Sequence, residues 1–172
     1  MFSGCRSSWH GRPRQRGRGR RFLPAIFRKA GDRHGEGTAL NNLGVALAGA
    51  RRFEEAVVAC QDAVAIFQET GDRHAEGISL GSLGEAFCGA RRFDEAITAC
   101  QDAAAICRET GDRHAEGSAL DSLGIALREA ERYEEAICAH QDAAVIYRDT
   151  GDRHGEKTAL EHLASVEAVR DA

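Results

Sequence analysis

The sequence predicts an all-α fold, an α-solenoid of antiparallel helix hairpins, on three observations. Nearly the same forty residues recur in tandem as Gly31 to Thr70, Gly71 to Thr110 and Gly111 to Thr150, and a fourth copy opens at Gly151 and ends at Ala172. Within each copy the apolar residues fall at helical spacing in two runs. Between copies stands the same Gly-Asp pair, at 31, 71, 111 and 151. A unit repeated at such a period cannot bury its apolar face alone and stacks on copies of itself.

Ahead of the repeats, residues 1–23 form an Arg/Gly-rich tail, and its first stretch, MFSGCRSSWHGRPRQRGRGRR, has almost no apolar side chains. Such a segment cannot offset its ordering entropy and is expected to be disordered. Three roles fit its composition: a solvated tail, attachment to nucleic acid or an anionic membrane through arginine contacts, or a transit-like presequence. Residues 24–30, PAIFRKA, stand before Gly31 as VAIFQET stands before Gly71. They read as the remnant of a second helix, with Pro24 in its first turn. Ile26 and Phe27 then lack half of their usual neighbours, which leaves an apolar end open to self-association as a homo-oligomer.

In the first full repeat, residues 31–70, Leu40, Leu43, Ala46 and Leu47 share one face of a first helix. Phe53, Ala56, Val57, Cys60, Ala63, Val64 and Phe67 do the same on a second. Gly49, Ala50, Arg51 and Arg52 leave room only for a tight turn, which makes the two helices antiparallel neighbours. Gly71 suits the left-handed residue that ends the second helix, and Asp72 suits the cap of the next. Residues 71–110 and 111–150 repeat the pattern, and 151–172 supply one first helix as a C-terminal cap. There Ala164 replaces the mid-helix glycine and Glu167 falls where Leu47, Phe87 and Leu127 sit, so that helix is expected to fray or to present a polar end. Gly44, Gly84 and Gly124 lie in mid-helix, where glycine costs about 1 kcal/mol relative to alanine. Close approach of the paired helix at Ala56, Ala96 and Ala136, or Ala63, Ala103 and Ala143, would account for them.

The net charge of -4 conceals a division. The first thirty residues hold eight Arg and one Lys without an acid, leaving 14 basic against 27 acidic residues in the repeats. An acidic array disfavours nucleic-acid phosphates, so that contact is expected of the tail alone. Cys60, Cys100, Cys107 and Cys138 stand where sister repeats place His140, Phe67, Tyr147, Val58 or Thr98, and read as small core fillers with free thiols in a reducing, cytoplasmic setting. No apolar run approaches the length that spans a bilayer.

The segment LNNLGVALAGARRFEEAVVACQDAV and its counterparts carry Leu-Gly, a small residue, Phe/Tyr-x-x-Ala and a second Ala seven residues on. In this, residues 24–172 resemble the tetratricopeptide repeat, in a 40-residue variant similar to kinesin light chains and the Leu-Gly-Asn spindle-orientation protein. GDRHGEGTALNNLG is also similar to arrays attached to actinobacterial STAND-type signalling ATPases. The resemblance implies a right-handed superhelix whose inner wall is built by the first helices. It further implies a scaffold that binds a protein or an extended peptide, here a fragment or short relative of a bacterial signalling regulator. Residues off the apolar face then line the wall: Asn41, Asn42 and Val45; Gly81, Ser82 and Glu85; Asp121, Ser122, Ile125, Arg128 and Glu129; Glu161 and His162. Family members with Asn at the site of Asn42 hold a peptide backbone with it, and Ser82, Ser122 and His162 depart from that pattern. Leu40, Leu80, Leu120 and Leu160 stand where many members carry Trp. The Lys/Asn set with which chaperone adaptors clamp a terminal carboxylate is missing.

His34, His74, His114 and His154 recur seven residues before a wall position and read either as a groove edge or as plain helix-start residues. Metal binding by this row is disfavoured, because ligand nitrogens must gather about 2 Å from one ion and these lie a repeat apart. His140 reads as a packed core histidine. No HExxH or GxxxxGK[ST] is present, so the expectation is a non-enzyme without cofactor, resident metal or small-molecule substrate.

Overall fold

A computed structural model describes residues 22–171, which form eight α-helices in sequence. They are α1 (Phe22–Ala30), α2 (Arg33–Gly49), α3 (Phe53–Thr70), α4 (Arg73–Gly89), α5 (Phe93–Thr110), α6 (Arg113–Glu129), α7 (Tyr133–Thr150) and α8 (Arg153–Arg170). Helix α1 begins at Phe22, two residues ahead of the expected start at Pro24, since proline is tolerated within the first turn where its missing N–H leaves no bond unmade. The expectations for residues 1–21 of the tail, and the one for the Ile26 side chain, fall outside what the structure describes, whereas Phe22 and Leu23 belong to α1 and not to the tail. Phe27 is half-buried against the start of α2.

The junctions follow from local chemistry. Gly31, Gly71, Gly111 and Gly151 all take a left-handed backbone, with φ from 72° to 77°. That conformation turns the chain back so that the amide of Asp72 donates to the carbonyl of Phe67 at 3.0 Å. Asp72 then accepts from the amide of Ala75 at 3.0 Å, and Asp32, Asp112 and Asp152 cap α2, α6 and α8 in the same way. Inside each hairpin the turn is made differently. Arg51, Arg91 and Glu131 adopt φ near 60° without being glycine, a feature that the short-turn reading did not contain.

Each helix packs on its chain neighbours, and in addition α2 touches α4, α4 touches α6, and α6 touches α8. Among the described residues no matching contact of comparable extent joins α3 to α5 or α5 to α7. The first helices therefore sit on the short inner circumference of the array and the second helices on the outer one. The main apolar core runs through the repeats, from Leu47 and Val57 through Leu83, Ile97 and Leu123 to Tyr147 and Val166, beside a smaller cluster of Leu40, Ala63, Ile66 and Phe67.

Ala56, Ala96 and Ala136 are fully buried beside the mid-helix glycines, as the spacing predicted. The tightest neighbour lies one turn further along, however: a Cβ at Gly44 or Gly84 would run into the sulfur of Cys60 or Cys100. Cys138 is exposed and so is not a core filler, because its register is that of Val58 and Thr98, which also face outward. Helix α8 does not fray: it runs to Arg170 and buries Val166 completely, one residue before the polar Glu167. Its open face shows instead at Leu160 and Val169, which are exposed.

The main surprise in the core is acidic. Glu36, Glu76 and Glu116 are buried in the first turns of α2, α4 and α6. Each is held by the arginine three residues before it, at 2.8 Å from Arg33, 2.8 Å from Arg73 and 2.6 Å from Arg113. A second donor comes from the end of the preceding helix: Arg28 at 2.5 Å, Gln68 at 3.0 Å and Arg108 at 2.7 Å. The same first-turn arginines reach across to the end of the second helix of their own repeat, Arg33 to Glu69, Arg73 to Glu109 at 2.8 Å and Arg113 to Asp149 at 3.9 Å. Consecutive helices are thus joined by a ladder that alternates buried acid with exposed base.

Candidate functional site

The inner wall is presented by α2, α4, α6 and α8, whose outward positions recur in register. Asn42 is exposed and faces an apolar hollow of about 500 Å³ lined by Phe27, His34, Thr38, Ala39, Leu43 and Ala46. Ser82 and Ser122 are half-buried at the same register, and the Ser82 hydroxyl donates to the carbonyl of Ile78 at 3.3 Å. Asn41 turns further inward, half-buried, with an Oδ1 that finds no hydrogen-bond partner among the described residues. Val45 is exposed, and Arg128 lies along the wall toward α8, with its guanidinium 2.7 Å from Glu129 and 3.5 Å from the Ser165 hydroxyl. Glu161 stays largely in solvent, 3.5 Å from Lys157.

Glu85 occupies the middle of this wall. Its surface is open, yet the crowding of packed helices around it withdraws water and raises its carboxyl above the usual glutamate range. Between the ordinary value, about 4.3, and that raised value the folded chain keeps a proton which the unfolded chain has released. Stability therefore falls as pH rises through that window. Glu85→Gln is expected to melt at a higher temperature than the wild type at pH 7, with the difference closing near pH 4; thermal melts at both pH values check this.

The four recurrent histidines divide their roles. His34, His74 and His114 are exposed and place Nδ1 at 3.0, 3.6 and 3.4 Å from the capping aspartate of the next repeat, Asp72, Asp112 and Asp152. His34 and His114 also meet the rings of Phe67 and Tyr147 edge-on. They stitch repeat to repeat along one edge of the array, and His34 also lines the hollow beside Asn42. His154 is exposed at the start of α8.

Two of the wall residues are brought together with a third that spacing alone assigns to the core. Asp121 on α6 lies 2.7 Å from Nδ1 of His140 on α7 and 3.0 Å from Nδ1 of His162 on α8. His140 is indeed buried, at 1% exposure, but it is not merely packed: its ring fills the space left by Gly124 and also carries a polar contact. Burial works to raise the Asp121 carboxyl, and the hydrogen bonds and charge of His140 and His162 outweigh it and hold it below the usual carboxylate range. This cluster is hidden from a spacing search because its members stand 19 and 41 residues from Asp121. A signal exists in the repeat itself: His140 replaces Cys60 and Cys100, Asp121 replaces Asn41 and Gly81, and His162 replaces Asn42, Ser82 and Ser122.

Among the described residues Cys60, Cys100 and Cys107 are buried in the core and Cys88 is partly buried, whereas Cys138 is exposed. Burial pushes Cys60, Cys88 and Cys107 up to about 11 and Cys100 further still, so they stay protonated at neutral pH and are poor nucleophiles. Among the described residues no helix is long and apolar enough to cross a membrane.

A family model described as tetratricopeptide repeat matches residues 35–99 and 77–149. The fold is similar to that of the apo form of RapI, with a TM-score of 0.76 at 14% identity over 88% of this chain, which spans 42% of the RapI chain. It is also similar to a TPR-like protein from Chlorobium tepidum TLS, with a TM-score of 0.61 at 19% identity over 78% of this chain and 99% of that one. A third likeness is to the nearly identical TPR-like repeats of a Podosopora anserina protein titled a putative kinesin light chain, with a TM-score of 0.56 at 15% identity over 89% of this chain and 95% of that one. No curated protein is similar enough in sequence to count as a match.

Proposed function

We propose, on the premise that this chain belongs to the tetratricopeptide-repeat family, that it is a non-catalytic scaffold which holds an extended peptide or a protein segment along its inner wall. Repeats of this kind generally bind proteins or peptides, and here the observation that carries the reading is Asn42. Its amide is solvent-accessible, offers both donor and acceptor, and stands on a rigid helix beside an apolar hollow large enough for one or two side chains. An extended backbone needs such alternation of amide partner and side-chain pocket. Ser82 and Ser122 continue the polar row at intervals of one repeat, with His34 at its rim.

Glu85 sets the charge preference. A carboxylate short of water gains most from a cationic partner, so the favoured segment carries Lys or Arg opposite α4. The acidic balance of the repeats, 14 basic against 27 acidic residues, points the same way and speeds encounter with a basic segment at low salt. Peptides selected from a random dodecapeptide library on the wild-type chain should bind Asn42→Ala at least tenfold more weakly. With Glu85→Arg the basic preference should be lost or reversed. Equal binding by wild type and both variants would remove the inner wall from consideration.

A further inference from the structure

We infer that Asp121, His140 and His162 form a binding site for one divalent late transition ion of the zinc class, at the junction of the third repeat and the terminal helix. One donor atom from each of these three side chains, on three helices, lies within 4.8 Å of the others, and in both histidines Nδ1 faces the carboxylate. Tetrahedral coordination with bonds of about 2.0 to 2.1 Å sets donors about 3.3 Å apart. The observed separations from Asp121, 2.7 Å to His140 and 3.0 Å to His162, reach that spacing by opening a few tenths of an ångström. Imidazole nitrogen with one carboxylate selects Zn²⁺, Co²⁺, Ni²⁺ or Cu²⁺ over Mg²⁺ or Ca²⁺, which prefer all-oxygen shells.

The repeat supplies an internal comparison. Sister positions of these three residues hold no comparable donor set: Asn41, Cys60 and Ser82 in the first and second copies, Gly81, Cys100 and Ser122 in the second and third. The chain thus departs from its own pattern at three places, and the departures meet at one point. Gly124 completes the arrangement, since a Cβ there would stand 2.5 to 2.7 Å from the His140 ring and force it off Asp121. His140 is thereby fixed before any ion arrives, which lowers the ordering cost of binding. The Asp121 and His162 side chains are 14% and 32% exposed, so an ion can enter from the wall and one coordination position stays open to water or to a bound segment.

The test uses the full chain without an affinity tag, stripped with a chelator, titrated with Zn²⁺ by calorimetry and with Co²⁺ by visible absorption. One ion per chain and the d–d bands of nitrogen- and oxygen-ligated Co²⁺ are expected. His162→Ser, which restores the residue of Ser82 and Ser122, and Asp121→Asn should each weaken binding at least tenfold while circular dichroism shows an unchanged helix content. His74→Ala, on the exposed row, should bind as the wild type does. Absence of a saturable ion, or retention of wild-type affinity in His162→Ser and Asp121→Asn, would overturn the site and leave a hydrogen-bonded cluster. So would an equal loss in His74→Ala.

Discussion

Removing both arginines that hold Glu116, as Arg108→Met with Arg113→Met, is expected to destabilise the array by about 3 kcal/mol, toward the low end for a buried ion deprived of its partners. Glu116 is 1% exposed, and its two carboxylate oxygens are taken by Arg108 at 2.7 Å and Arg113 at 2.6 Å. Methionine keeps the aliphatic stems that cover the acid but supplies no charge. The carboxylate must then either stay unpaired in a place water does not reach or open the junction between the second and third repeats. The loss falls low in the range because both guanidinium side chains are well exposed, so solvent enters when they are gone. Adding Glu116→Gln to the double variant should recover about half of the loss, since an amide is far less costly to bury than an ion. If the triple variant is no better than the double, packing of the arginine stems and not the buried charge holds the junction. A single Arg108→Gln should be mild, because Gln68 already plays that part for Glu76.

Gly84→Leu should destabilise by about 1 to 3 kcal/mol through overpacking, measured by urea denaturation. Helix propensity works in the opposite direction by about 1 kcal/mol, which separates two substitutions at the same place. Alanine adds only a Cβ, which collides with Cys100 Sγ, the movable end of a short side chain. Leucine adds three carbons more, into a wall made by the backbone of α5, where the Ala96 carbonyl stands 3.5 Å from the new Cβ. Gly84→Ala is therefore expected close to wild type and Gly84→Leu well below it. Equal stability of all three would mean that α4 and α5 are not in the close contact described.

What is legible in the sequence follows from the range of the interactions. The helix pairs are readable because Leu40, Leu43 and Leu47, and their copies, mark one face by spacing alone, and because Gly71 and Asp72 act on their immediate neighbours. The buried acids are not. Glu76 stands among Arg73, His74 and Gly77, a stretch that looks solvated, and its second partner lies eight residues back across the turn. Cys138 departs from the core expectation because it stands two positions before His140, whose inward register it would need to share with Cys60 and Cys100. Two positions carry a helical residue around to the opposite face. The Asp121, His140 and His162 cluster needs three helices in place before its members meet. Asn42, by contrast, is exposed, as a position off the apolar face of a regular helix is expected to be.

If the inner wall receives the partner, a dodecapeptide selected on the wild-type chain and titrated into isotope-labelled protein should move amide chemical shifts there. The shifts are expected to gather on α2, α4 and α6 around Asn42, Ser82, Glu85 and Ser122. Shifts confined to α3, α5 and α7, or to residues 1–21, would contradict it.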